Sequence, residues 1–216
     1  MSQESRPTYA FPNLPLAPVP AGTNLLVAGD PFHGTDEVAL RMLAAGESRG
    51  DGCLLFAADQ SGPDLLEAYV AAGGTVDADR MAAVECEDSG SDDELVRTVT
   101  SPGDLTGIGI EFSALYEDLY ERGVRQVRTG LFSVSTLLHY AEEMPPVYRF
   151  LHTLTGRVRA ADGFAACVIH PEGTDEQTVR SLAQTFDGRV DVREGEGGRE
   201  MRTRGLDGQA EGWQAL

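Results

Sequence analysis

The stretch "LLVAGDPFHGTDEVALRML", Leu25 to Leu43, decides the fold. An apolar run leads into a loop bounded by Gly29 and Gly34, and apolar residues at helical spacing follow, so the segment reads as strand, loop and helix. The two glycines carry the spacing of a phosphate-cradling loop, G-x-x-x-x-G-K-S/T, whose amides wrap phosphates while its lysine reaches the outer groups. Here Thr35 stands at the lysine position and Asp36 at the hydroxyl position, and Pro31 removes one N–H. A charge pair ~4 Å apart is worth about 4 kcal/mol at an effective dielectric of about 20. Losing the lysine forfeits most of that attraction, and Asp36 and Glu37 repel a phosphate while suiting the positive end of the helix. His33 adds positive charge only when protonated, and reads as an exposed loop histidine. Two readings stand: a nucleotide loop with its key residues exchanged, or a turn that uses glycines for geometry. No lysine elsewhere can substitute, because the chain has none; an arginine brought in by another part of the fold could.

Working outward, apolar strands and amphipathic helices alternate. "TNLLVAG", "GCLLFAA", "MAAVECE", "VRQVRTGLF" and "FAACVIH" read as strands, the second of them buried. "DEVALRMLAAG", "GPDLLEAYVAAGG", "IEFSALYEDLYERG", "SVSTLLHYAEEM", "VYRFLHTLTGRVRA" and "DEQTVRSLAQTFDG" read as helices, the fourth stopped by Pro145 and Pro146. "RVDVREGEGGREMRTRGL" alternates about a glycine turn and reads as a hairpin. The alternation predicts an α/β domain, a three-layer arrangement with a mostly parallel sheet and a C-terminal antiparallel hairpin. Ligands of such sheets lie beyond the carboxyl ends of the strands, which brings Gly29–Asp36, Asp59–Gly62 and Phe132–Ser135 together. Residues 1–22 carry five prolines and predict an N-terminal strap docked through Tyr9, Phe11, Leu14 and Leu16. The domain proper runs over 23–206, and 207–216 reads as a flexible tail. The acidic stretch Glu87–Glu94 reads as an exposed loop without the spacing of a calcium site.

Composition narrows the setting. Against 35 acidic residues stand 17 basic ones, all arginine, a formal charge of −18. Such a balance favours solubility at high salt and predicts a halophilic protein that does not bind nucleic acid. Cys53, Cys86 and Cys167 lie scattered in apolar runs, which predicts buried thiols in a reducing cytoplasm. The proline-rich start has no signal-peptide core, and no apolar run approaches the ~18 residues of a spanning helix. Cys167 and His170 are spaced C-x-x-H, with His139 and His152 upstream, but four convergent ligands are not in view, so core or satisfied polar roles are expected and no metal. Ser133 and Ser135 lack a legible His–Asp arrangement. Arg193, Arg199, Arg202 and Arg204 form a basic concentration on the hairpin, either an exposed strand face or a surface for an acidic neighbour.

The segment Phe132 to Ala160, with "DEQTVRSLAQTFDGRVDVRE" and "GREMRTRGL", resembles the haloarchaeal branch of the KaiC/RecA-like ATPases over roughly residues 22–206. The resemblance implies a RecA-like fold whose relatives bind ATP between subunits, often in rings, and couple its hydrolysis to signalling, motility or recombination. Residue by residue, the family's lysine falls on Thr35. Its magnesium-holding acid falls on Phe132, with Ser133 following as in the family. Its paired glutamates fall on Asp59 and Gln60, leaving one shorter carboxylate. Each part is worth several kcal/mol in phosphoryl transfer, where catalysis is positioning and charge stabilisation. The expectation is a pseudo-ATPase, a regulatory or signalling module without cofactor, acting through a protein partner or self-association as dimer or ring. The alternative is an ATP-binding or weakly hydrolysing site, with ATP and Mg, in which Asp59 is the residual catalytic candidate.

Overall fold

The computed structural model describes residues 7–86, 93–141 and 143–216. Most of the acidic stretch, positions 87–92, lies outside them, as does the start of the strap. Two short antiparallel strands come first, β1 (Thr8–Phe11) and β2 (Leu16–Pro20). Then follow β3 (Asn24–Ala28), α1 (Thr35–Ala44), β4 (Gly52–Ala57), α2 (Gly62–Ala71), β5 (Met81–Glu85) and β6 (Val96–Thr98). The second half runs α3 (Leu105–Glu121), β7 (Val127–Phe132), α4 (Val134–Ala141), α5 (Met144–Ala160), β8 (Phe164–Ile169), α6 (Glu176–Ala183), β9 (Gly188–Gly195), β10 (Gly198–Arg204) and β11 (Gln214–Ala215).

The main sheet has the order β11-β10-β9-β3-β8-β7-β4-β5-β6, parallel from β9 to β6 and antiparallel at β9-β10-β11. Every residue of β3, β4, β5, β7 and β8 is buried, which is why those strands read as largely apolar, with Asn24, Glu85, Arg128 and Thr129 the buried polar exceptions. Successive side chains serve opposite faces. Leu25 and Val27 join α1, α2 and the N-terminal hairpin in one core, while Leu26 and Ala28 join α3 to α6 in the other. This is the three-layer α/β architecture that the alternation of elements predicts.

Three elements differ from the sequence reading. β6 is too short and too mixed in burial, three residues in all, to carry a periodic signal. Pro145 and Pro146 lie in the first turn of α5, where a missing N–H costs nothing, so they begin a helix as well as following one. The end of the chain, read as a loose tail, lies along the sheet edge. Gln214 pairs with Met201, and the Trp213 ring lies under the guanidinium groups of Arg193 (3.9 Å) and Arg202 (4.5 Å). Gln209 exchanges two hydrogen bonds with the Ala17 backbone and so joins this end to β2.

The N-terminal hairpin packs on the amino end of the sheet around Arg128 of β7. Both Arg128 and its partner Asp51 are buried, with side chains 0% and 2% exposed, and Nε meets the carboxylate at 2.8 Å. Nη1 donates to the Met42 carbonyl and Nη2 to that of Ala10. The rings of Tyr9, Phe11 and Phe164 surround the guanidinium with centroids 4.9, 5.4 and 5.8 Å away. A buried charge persists only when paired and hydrogen-bonded, and this one has both kinds of partner.

Candidate functional site

The parallel strands β3, β8, β7 and β4 are neighbours and end on the same edge. Their exits place Gly29, His170, Ser133 and Asp59 side by side, the convergence expected of a doubly wound sheet. The loop after β3 is folded on Asp30. Its carboxylate accepts from the Phe32 amide at 2.8 Å, and its carbonyl accepts from the His33 amide at 3.1 Å and the Thr35 hydroxyl at 2.8 Å. Pro31 to His33 make one 3-10 turn, and Gly34 leaves it at φ 78°, left-handed backbone that suits glycine. Gly29 is fixed by contact: a Cβ there would stand 2.5 Å from both Thr35 Oγ1 and the Val192 carbonyl oxygen.

A cation reaches the loop from far along the chain. Arg199 of β10 lays its guanidinium on Gly34, where an added Cβ would lie 2.6 Å from Nη1. The same group is ion-paired with Glu37 in the first turn of α1. The remaining hairpin arginines are also held within the chain: Arg193 on Glu200, and Arg202 and Arg204 on Asp191, which Arg189 joins as well.

His170 ties three strand exits together. Its Nδ1 lies 3.1 Å from the Gly29 carbonyl oxygen, which can only accept, so Nδ1 carries a proton. Nε2 then faces Asp36 Oδ1 at 3.5 Å, an arrangement that favours a second proton on the ring. Burial works against the charged ring, but the hydrogen bond and charge of Asp36, the Gly29 carbonyl and the charge of Asp59 outweigh it, and its pKa stands above the ordinary value. Asp59 is also shifted up, first by burial and then by the Asp36 charge, against the pull of His170 and a hydrogen bond with Thr136. The Ser135 hydroxyl is engaged with the His170 backbone, donating to its carbonyl and accepting from its amide. The histidine therefore joins two carboxylates and has no hydroxyl nucleophile in hand.

The position after which Ser133 follows is filled by hydrocarbon. Phe132 is 1% exposed and part of the α1-side core, its ring lying where a Cβ on Gly130 would be 2.7 Å away. Ser133 is itself buried, and its hydroxyl has no hydrogen-bond partner among the described residues. The cysteines are buried, and burial pushes Cys53 and Cys167 up to about 12, so neither is a thiolate. Among the described residues no group of three or more His, Cys, Asp or Glu side chains is placed to hold a metal. His170 was grouped by spacing with Cys167; in the fold its partners are Gly29 and Asp36, 141 and 134 residues away, which spacing cannot reveal.

Residues 22–192 match the model of a family described as a family of unknown function (DUF7504). The chain belongs to this family. No curated protein matches the DUF7504 chain. Among solved structures it is similar to the KaiC-like protein PH0186 from the hyperthermophilic archaeon Pyrococcus horikoshii OT3, with 13% identity, a TM-score of 0.63, and coverage of 97% of this chain and 92% of that one. At that identity the likeness shows the fold, and the DUF7504 chain has the RecA-like fold that the sequence resemblance implied.

Proposed function

We propose that this KaiC-like domain is a pseudo-ATPase: a regulatory or signal-transduction interaction module, without nucleotide cofactor, of the cytoplasm of a halophilic archaeon. The observation that carries the reading is the loop closed on its own groups. Two of its amides are spent on Asp30, and the guanidinium over Gly34 is paired with Glu37. A magnesium triphosphate does not fit these residues. Thr35 is engaged with a backbone carbonyl, Phe132 offers the metal no oxygen, and Asp36 and Glu37 oppose the phosphates. The lysine-free, acidic composition supports the halophilic setting. Calorimetric titration with Mg-ATP in molar KCl tests it. No saturable heat and no phosphate release are expected; saturable binding with turnover would overturn the reading.

One observation favours a second reading. Arg199 supplies to the loop the cation that Thr35 does not, and if Glu37 released it, Arg199 and Asp59 would be the working pair of a rewired ATPase. That reading requires Asp59→Asn to abolish hydrolysis measurable in the wild type. A non-hydrolysing switch would instead show an ATP-dependent rise in melting temperature without phosphate release.

A further inference from the structure

The outer surface of α3 and α5 carries a long furrow remote from the strand exits. Both helices pack on the same face of the sheet and lead into parallel neighbours, α3 into β7 and α5 into β8, so they run in one direction. The furrow follows α3 from Leu105 to Tyr120, roughly 22 Å at about 1.5 Å per residue. It consists of two adjoining hollows of about 670 and 510 Å³ that meet at Ser113, Glu117 and Arg157. Large apolar side chains line it and stand open to solvent: Ile110 is 61% and Tyr120 60% exposed. Between them the wall is low, for a Cβ added to Gly109 would meet nothing within 4 Å. The lining recurs at one-turn intervals, Thr106, Ile110, Ser113 and Glu117 on α3 and Arg149, Thr153 and Arg157 on α5. Such ridges and grooves receive a third helix.

The charge of the furrow is opposite to that of the chain. Arg125, just beyond the end of α3, and Arg149 and Arg157 of α5 line it, and among the described residues none of the three has a carboxylate partner. Arg157 donates to the Gly109 carbonyl and the Ser113 hydroxyl. Arg125 lies 4.0 Å from the Tyr120 ring centroid and donates to backbone carbonyls. These neutral groups leave the guanidinium charges uncompensated. Glu117 is the one carboxylate that lines either hollow, so both sides of the furrow are cationic in a chain of formal charge −18. We infer that the furrow is the seat of an acidic amphipathic helix of a partner protein, about fifteen residues long. Its apolar stripe lies on Ile110, Phe150 and Tyr120, and its carboxylates meet Arg125, Arg149 and Arg157, the helix-in-groove mode of recognition. Charge pairs in direct contact are the ones that survive molar salt, where the Debye length is about 3 Å.

This inference rests on the interaction-module reading and names the kind of partner, and the two fail separately: turnover of Mg-ATP sinks that reading, while peptide binding judges this one. The probe is a displayed library of helical peptides of about sixteen residues, with apolar residues fixed at i, i+3, i+4 and i+7 and Glu, Lys or Gln at random elsewhere. Selection on the full chain in molar KCl should enrich Glu over Lys. Affinity for the enriched peptides should fall about tenfold or more in Arg149→Glu and in Ile110→Asp, and selection on Arg149→Glu should move the preference toward Lys. Both side chains are exposed, and unchanged melting temperatures would show the fold intact. Failure to enrich any peptide, enrichment without an excess of Glu, or affinity indifferent to both substitutions would overturn it. So would light scattering that gives twice the 23.1 kDa chain mass for the wild type and the single mass for Ile110→Asp, because a second copy would then hold the furrow.

Discussion

At His170 a single side chain reads the ionisation of its surroundings. The groups that face it are the Gly29 carbonyl from β3, Asp36 from α1 and Asp59 from β4, with Ser135 of α4 holding its backbone. The fold favours the charged ring, so its contribution to stability is complete below the ordinary histidine pKa and fades as pH rises through the higher folded value. Asp59 acts in the same direction: the fold favours its neutral form, and stability falls as pH rises beyond the ordinary carboxylate range. The His170–Asp36 pair is loose and half open to water, worth on the order of 0.5–1 kcal/mol. The melting temperature at fixed high salt should therefore drop by roughly 1–4 °C as pH rises through the histidine range. In His170→Gln that slope should disappear, and a mutant melting curve with the wild-type slope would refute the assignment.

At the scale of elements, the N-terminal hairpin depends on one buried ion pair. Asp51→Asn leaves the Arg128 guanidinium without its counter-charge among Tyr9, Phe11 and Phe164, a loss of about 3–5 kcal/mol. Denaturant unfolding should show that loss, and Arg128→Met combined with Asp51→Ala should lie closer to the wild type than either single change, because an apolar pair needs no counter-charge. None of this was legible locally. The pattern of "VRQVRTGLF" marks a strand but not the role of Arg128, whose partners Asp51, Met42 and Ala10 are 77, 86 and 118 residues away. The all-apolar strands β4 and β8 announce themselves as such, and helices announce themselves by spacing and caps such as Ser61 on α2 and Asp175 on α6. β6 and β11, short and mixed, do neither. The candidate site divides in the same way. Gly29, Gly34 and Asp36 were legible because a loop motif is contiguous. The approach of Arg199 to Glu37, over 162 residues, is a product of topology.

At the scale of the whole molecule, charge dominates. With 35 acids against 17 arginines, the surface repels itself at low ionic strength, where the Debye length at 0.1 M is about 10 Å, and much less at 1 M, where it is about 3 Å. The melting temperature should rise steadily with KCl up to molar concentrations, which thermal scans at fixed pH would record; a flat or falling curve would remove the basis for a halophilic habitat.

The seat of the N-terminal hairpin has a consequence for synthesis. Tyr9 and Phe11 leave the ribosome well before the wall they lean on, which includes Arg128 and Phe164, made more than a hundred residues later. During translation these rings wait uncovered until β7 and β8 have been made.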